Sequence, residues 1–253
     1  MKLELSCVLI ASALVSSSGC AEPEFGSDEQ AIVNGLVDTG HPSVARIPTT
    51  ADLSPTGPAC TGVLISSNTV LTAAHCVTTG QAYWVEFGAG SGFWGVATRH
   101  PGYALSPATH DLAVISTMDK MGRPFRARIA TAVSAGQMIT LSGFGQTGDG
   151  IPQDGIKRYG TNAIDSVDAN RFFFDTDLTS PAGTEAATCR GDSGGPAFLG
   201  GITSDCVGGI TKGQEPGGPC TAAGGRWIDT RVDVQLAWIQ SMSRDPVATC
   251  TVK

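Results

Sequence analysis

Apolar residues come in short runs along this chain, and turn-forming residues separate them. Gly62-Val63-Leu64-Ile65, Trp84-Val85-Glu86-Phe87, Leu112-Ala113-Val114-Ile115 and Met138-Ile139-Thr140-Leu141 each have the length of a β-strand. Gly, Pro, Asn or Asp punctuates the gaps, as it does where a sheet turns back on itself. Gln146-Thr147-Gly148-Asp149-Gly150-Ile151-Pro152 reads as a surface loop. Helical periodicity occurs only near the end, where Val232, Leu236, Trp238 and Ile239 share one face of a helix predicted over about 233–242. No solenoid repeat and no low-complexity tract interrupts the pattern. It predicts an all-β protein with one short C-terminal helix.

A length of 253 residues allows one large all-β unit or two small domains sharing an interface. The 33 glycines and 14 prolines suit many short strands and tight turns. A formal net charge of −7 argues against a nucleic-acid partner and is read as solubility. Lys2 and the apolar run from Leu5 to Val15, too short to span a bilayer, read as a secretory signal over residues 1–19. The Gly19-Cys20 junction resembles a bacterial lipoprotein cleavage site, although Ser17 stands where leucine is usual. Cys20 is therefore a lipidation candidate, with ordinary secretion as the alternative. Either route takes the chain out of the cytoplasm, and lipidation would tether it to the outer membrane. Residues 20–31 read as a propeptide or linker. Cys7 and Cys20 fall in the leader, which leaves Cys60, Cys76, Cys189, Cys206, Cys220 and Cys250. This even set suits an oxidising compartment, and six cysteines allow fifteen connectivities.

The candidate chemistry centres on Cys189-Arg190-Gly191-Asp192-Ser193-Gly194-Gly195-Pro196, a serine in a glycine-rich turn. A serine hydroxyl is a weak nucleophile without a base and a group to orient that base. Both candidates lie upstream, in Thr72-Ala73-Ala74-His75-Cys76 and in His110-Asp111-Leu112-Ala113-Val114-Ile115. The order is His, Asp, Ser, which differs from the subtilisin and α/β-hydrolase orders. His110 is a poorer base candidate, because its side chain should alternate away from that of Asp111. These segments, with Ile32-Val33-Asn34-Gly35, resemble the motifs of the trypsin/chymotrypsin family of serine endopeptidases, from Ile32 to the C-terminal region.

That resemblance implies two packed antiparallel β-barrels over a protease domain of residues 32–253. The first barrel would cover about 32–125 and the second about 126–232, crossing over near Met121-Gly122-Arg123-Pro124. Ser193 would be the nucleophile, His75 the base and Asp111 its orienting acid, with the Gly191 and Ser193 amides as oxyanion donors. A cut after Ala31 would free the Ile32 amine to bury itself against Asp192, making the precursor a zymogen. The resemblance also implies bridges Cys60–Cys76 and Cys189–Cys220. Cys206 and Cys250 then remain for each other, a pair the family's usual pattern does not supply.

The substrate pocket is implied in the same way. Ala187, six positions before the nucleophile, would form the base of the P1 pocket and Thr188 its wall, while Thr211 and Gly213 would pair with substrate backbone. An uncharged, small to medium apolar P1 side chain is expected. Trp227 is a candidate for the pocket floor, and Asp229 for a displaced negative charge that would readmit Arg or Lys. An uncharged P1 suits Ala31 and raises autoactivation, and cutting there would also release the enzyme from a lipid anchor. No metal or cofactor is expected: His41, His75, His100 and His110 show no ligand spacing. Expected partners are protein or peptide substrates and an activating protease, and the enzyme is expected to be a monomer. The competing classes are a catalytically silent binding protein on a protease scaffold and an esterase using the same triad.

Overall fold

The computed structural model describes residues 32–88, 91–104, 109–215, 217–222 and 224–252. The segments read above as a signal (1–19) and a propeptide or linker (20–31), with Cys7, Cys20 and Ala31, lie outside the described residues. The first strand, β1 (Leu36–Val37), is followed by six that close into an antiparallel barrel. These are β2 (Val44–Pro48), β3 (Ala59–Leu64), β4 (Thr69–Thr72), β5 (Ala82–Glu86), β6 (Gly92–Arg99) and β7 (Ala113–Ser116). Their spatial order is β2-β3-β4-β7-β6-β5, and the ring closes where Arg46 on β2 faces Glu86 on β5. Val63, Leu71, Val85, Ala97 and Ile115 fill the barrel without solvent exposure. Arg46 is buried too, but its guanidinium is paired: Nη2 donates to the carbonyls of Ser54 (2.7 Å) and Gly57 (2.6 Å). It thereby pins the loop before β3.

The second unit holds β8 (Arg128–Ala130), β9 (Met138–Gly143), β10 (Arg158–Ala163), β11 (Ser166–Val167), β12 (Arg171–Phe174), β13 (Pro196–Leu199), β14 (Cys206–Glu215), β15 (Arg226–Arg231) and β16 (Thr249–Cys250). Its main path runs β1-β10-β9-β13-β14-β15-β12-β11, and β8 joins parallel to β14 and β16. Antiparallel register sets Phe174 opposite Trp227 and Phe172 opposite Asp229, and the Phe174 and Trp227 rings stack at 6.4 Å. A 3-10 turn at Asp233–Gln235 leads into α1 (Leu236–Met242). Ile239 is buried, and Trp238 meets the His100 ring of the first barrel edge-on at 4.6 Å. The terminal helix thus spans from one unit to the other.

The four apolar runs read from the sequence lie in or overlap β3, β5, β7 and β9, and the chain crosses between units in residues 117–127. One boundary differs from the sequence expectation. The segment at Ile32 belongs to the second unit and not to the first barrel, because β1 pairs with β10 and Val33 bridges Ala187. Asn34 secures it by donating its side-chain amide to the carbonyls of Ser180, Pro181 and Thr184. Three disulfides join Cys60 to Cys76, Cys189 to Cys220 and Cys206 to Cys250, with Cα separations of 6.2, 5.2 and 5.9 Å.

The third bridge closes a 44-residue separation and fastens β16 to β14. Replacing both Cys206 and Cys250 by alanine should cost about 2–4 kcal/mol, chiefly by freeing the unfolded chain. A thermal melt should fall by roughly 5–15 °C. An unchanged midpoint would show that the bridge adds nothing to the folded ensemble.

Candidate active site

His75 lies in the 3-10 turn Ala74–Cys76 that ends β4, and the Cys60–Cys76 bridge anchors that turn to β3. Asp111 precedes β7, the neighbour of β4, so the barrel brings the two together. The contact has two points. The His75 backbone N–H donates to Asp111 Oδ1 at 2.9 Å, and Nδ1 lies 2.7 Å from Oδ2. An ionised carboxylate only accepts, so the ring proton sits on Nδ1 and leaves Nε2 as the basic nitrogen. The His75 side chain is 29% exposed against 3% for Asp111, so the imidazole reaches solvent and the carboxylate does not. Burial pushes the Asp111 carboxyl up. The His75 hydrogen bonds and the charges of His75 and Lys212 outweigh it and leave the group below the ordinary carboxylate range. His110 turns away at φ 50° and stacks on His100 at 4.7 Å.

The turn that carries Ser193 docks against β3 and Cys76, the residue after His75. The Thr61 N–H donates to the Ser193 carbonyl at 2.9 Å, and the same oxygen lies 3.5 Å from the bridged sulfur of Cys76. Gly191 has φ 100°, and a Cβ there would fall 2.1 Å from Gln153 Nε2. Only glycine fits, for both backbone and space. The preceding carbonyl, of Arg190, accepts from Gln146 N–H at 2.7 Å. In a trans peptide this turns the Gly191 N–H the opposite way. The Asp192 carbonyl is likewise taken by Gly195 N–H at 2.8 Å, which directs the Ser193 N–H.

Asp192 is buried within the second unit. Gly145 N–H reaches Oδ1 at 2.8 Å and Cys189 N–H reaches Oδ2 at 2.9 Å, with the Ile32 N–H as a third donor. A side chain at Gly143 or Gly145 would collide with this carboxylate, at 2.2 and 2.5 Å. Burial pushes the Asp192 carboxyl up to about 7, against the opposing pull of these donors and of the Arg158 charge.

A cleft of 170 Å³ opens beside Ser193, lined among others by Thr188, Cys189, Arg190, Lys212 and Gly213. Ala187 does not line it: the residue is fully buried and its N–H donates to the Val33 carbonyl. Behind Thr188 stands Trp227, also fully buried, whose indole N–H donates to the Thr188 carbonyl at 2.9 Å. Asp229 follows on the same face of β15, out of water, with neither oxygen in a hydrogen bond. Burial raises its carboxyl to about 8, which the nearby Thr211 hydroxyl opposes only weakly. Thr211 itself is occupied: its N–H donates to Gly195 and its carbonyl accepts from Gly194. The sequence expectation that Thr211 pairs with substrate backbone is corrected by these bonds. The stretch of β14 that lines the cleft is Lys212 to Gln214, paired with β15, where Gly213 at φ 136° has nothing within 4 Å of a would-be side chain.

Three further residues shape the site without a mark in the sequence. Thr61 and Gln153 touch the Gly191 turn. Asp149 accepts from the N–H groups of Cys220 (3.0 Å) and Thr221 (3.1 Å) and so holds the cleft's disulfide edge. Each is remote in sequence from what it touches. Their one advance signal was Asp149 in a stretch already legible as a loop. The close groupings of possible metal ligands among the described residues, around Cys60–Cys76 and Cys189–Cys220, consist largely of bridged sulfurs, which offer no thiolate.

Comparison with known proteins agrees with this geometry. The family model described as Trypsin matches residues 36–239. Trypsin alpha of Drosophila erecta is 27% identical over 225 residues, covering 78% of this chain and 85% of the relative. Chymase of Papio hamadryas is 29% identical over 174 residues, covering 58% and 68%. Among solved structures, neuropsin, a serine protease expressed in the limbic system of mouse brain, shares the fold with a TM-score of 0.67 at 22% identity. That superposition covers 83% of this chain and 99% of neuropsin. With an oriented histidine, a serine whose carbonyl meets the adjoining Cys76 and a glycine turn built around a buried aspartate, the chain belongs to the trypsin family and is a serine endopeptidase.

Proposed function

We propose that the protein is an extracytoplasmic endopeptidase made as a zymogen, cut after Ala31, that cleaves after small uncharged residues. The observation that carries the catalytic part is the two-point hold of Asp111 on His75, which leaves Nε2 as the free base. Ser193 Oγ attacks the scissile carbonyl carbon, and His75 Nε2 takes the hydroxyl proton. The tetrahedral oxyanion is met by the Gly191 and Ser193 amides. His75 then hands its proton to the leaving amine, and a water repeats the sequence on the acyl-enzyme. Asp111 stays ionised throughout and stabilises the transient imidazolium. Three disulfides support an oxidising destination, with Cys20 the point of any lipid anchor.

Activation is supported by a backbone strain. Ile32 is β-branched yet sits at φ 52°, a conformation that costs such a residue about 1–3 kcal/mol. Cleavage after Ala31 removes the carbonyl that defines this angle, so the strain disappears. The same cut turns the Ile32 N–H, already a donor to Asp192, into an ammonium beside a buried carboxylate that otherwise feels only the more distant charge of Arg158.

The P1 reading rests on space. The cleft beside Ser193 is 170 Å³, with Thr188 at its wall and the Trp227 indole filling the volume behind. Ala187 brings no charge. The Asp229 carboxyl is raised to about 8 by its burial and does not line the cleft, which disfavours a cationic P1.

Three outcomes follow. Protein starting at Ile32 should cut a mixed peptide library, and Ser193→Ala should lose every cut. Asp111→Asn should lower kcat by about 10⁴-fold, a magnitude established for this type of triad. Library cuts surviving in Ser193→Ala would overturn the reading.

Trp227→Ala should shift the preferred P1 side chain from small to large apolar by opening the wall, at a stability cost of about 3–5 kcal/mol. An unchanged library profile would remove the indole from the account of specificity.

In the uncut chain the Asp192 carboxyl is raised to about 7 against an unfolded value of 3.8, so the folded state binds the extra proton between those limits. Stability should fall as pH rises from about 4 to about 7, by about 1.4 kcal/mol per unit. In the cut chain the ammonium lowers that carboxyl and the drift should be smaller, while Asp229 contributes equally to both forms. Denaturant titrations of Ser193→Ala protein, cut and uncut, measure the difference, and parallel curves would sink the ion pair. Asp192→Asn in the cut enzyme should cost about 10²–10³-fold in activity.

A further inference from the structure

We infer that the side-chain hydroxyl of Thr61 is a positioning residue for the oxyanion site, setting the Gly191 turn of the second unit from the wall of the first barrel. The inference rests on the reading of Ser193 as nucleophile and Gly191 as oxyanion donor, and adds to it a residue with no place in the triad.

Thr61 lies on β3, fully buried, and every polar group it owns is engaged. Its N–H donates to the Ser193 carbonyl at 2.9 Å. Its Oγ1 donates to the Gly191 carbonyl at 2.8 Å and accepts from Phe144 N–H at 3.1 Å. Its own carbonyl accepts the Thr72 hydroxyl at 2.7 Å. The hydroxyl has one proton, and with Phe144 supplying a donor that proton is directed at Gly191. One residue therefore grips the carbonyls of both oxyanion residues.

Gly191 is where such a grip matters. Without a Cβ it is the turn's least restrained position, and at φ 100° it is held outside the range of other residues. The peptide before it is fixed by Gln146 N–H on the Arg190 carbonyl, and the peptide after it by Thr61 Oγ1. With both flanks fixed, the Gly191 N–H keeps its direction while the oxyanion forms. With the second flank released, the turn can rotate and carry the donor out of line. Donors help only when held in place before the charge develops, so the effect falls on the transition state and not on substrate binding. The Thr61 methyl contributes separately. It packs at the turn, where a side chain on Gly195 would approach Cγ2 to 3.2 Å, and as a β-branched residue threonine has few χ1 choices.

The test compares wild type, Thr61→Val, Thr61→Ser and Ser193→Ala, each starting at Ile32, on one peptide substrate. Thr61→Val keeps the shape and loses the hydroxyl. It should lower kcat by on the order of ten- to a hundredfold, less than deletion of an oxyanion donor, with KM within about threefold. Thr61→Ser restores the hydroxyl and should recover kcat to within about threefold of wild type. A peptide boronate, which forms the tetrahedral adduct, should weaken in step with kcat in Thr61→Val, while binding of the cleaved product peptide should not change. Wild-type kcat in Thr61→Val would overturn the proposal, as would a Thr61→Ser as slow as Thr61→Val. If Thr61→Val does not fold, Thr61→Ala carries the same comparison against Thr61→Ser. Ser193→Ala with undiminished cleavage would overturn the underlying reading instead, a result recognisable without reference to the Thr61 series.

Discussion

A carboxylate withdrawn fully from water must be satisfied from every side, and that requirement at Asp192 organises the active half of the molecule. Gly145 and Cys189 supply backbone donors, and Ile32 supplies a third from the start of the described chain. The space the carboxylate occupies forbids side chains at Gly143 and Gly145 on and just after β9. To bring Ile32 to it, the N-terminal segment must leave the first barrel and pair as β1 with β10. The turn that presents Ser193 is fixed because the residue before it is fixed. Strand order, glycine placement and the position of Ser193 are thus consequences of one buried carboxyl, and its three backbone donors remain short of full neutralisation.

The same residue type is tuned three ways in this chain, and the differences follow from partners rather than depth. Asp111 is almost as buried as Asp192, yet the His75 contacts hold it ionised. Asp192, with amide donors but no cation in contact, is raised to about 7. Asp229 has neither and is raised to about 8. Burial sets the cost of the charge, and hydrogen bonds decide whether it is carried. Under the proposed reading Asp111 must stay charged through the reaction, Asp192 must change its state when an ammonium arrives, and the Asp229 carboxyl stays neutral. One chemical group serves all three because its surroundings differ.

Much of this was legible in the sequence where the chemistry is local. Strand-length apolar runs predicted β3, β5, β7 and β9, and the 3.6-residue spacing of Val232, Leu236 and Ile239 predicted the terminal helix. The segments around His75, Asp111 and Ser193 are short motifs whose residues act within a few positions of one another. Thr211 was misassigned because strand pairing, which the sequence does not display, had already consumed its N–H and carbonyl in Gly195 and Gly194. Ala187 was expected to line the pocket, and Trp227 stood as one of two readings of its floor. Neither reaches solvent: Ala187 is tied to Val33, and Trp227 is held by a cross-strand stack with Phe174 and a bond to the Thr188 carbonyl, contacts separated by about forty residues or more. Thr61 had no signature at all, since its partners Gly191 and Phe144 lie in the other unit.

That last case shows what the seam between the units does. A cleft between two packed bodies could be a passive gap, with catalytic groups delivered from either side and free to shift as the bodies move. Here the bodies are stitched at the level of the reacting atoms: Thr61 reaches across to Gly191, Ser193 and Phe144, and Gln153 reaches back to both the N–H and the carbonyl of Ala59. Any relative displacement of the units must break bonds to buried polar groups, each costing about 1–3 kcal/mol when left unmade. The seam is therefore stiff around the Gly191–Ser193 turn and open beyond it, where Gly213 has nothing within 4 Å of a would-be side chain. Rigidity is concentrated where electrostatic stabilisation needs donors fixed in advance, and freedom is left where substrates of different sequence must be admitted.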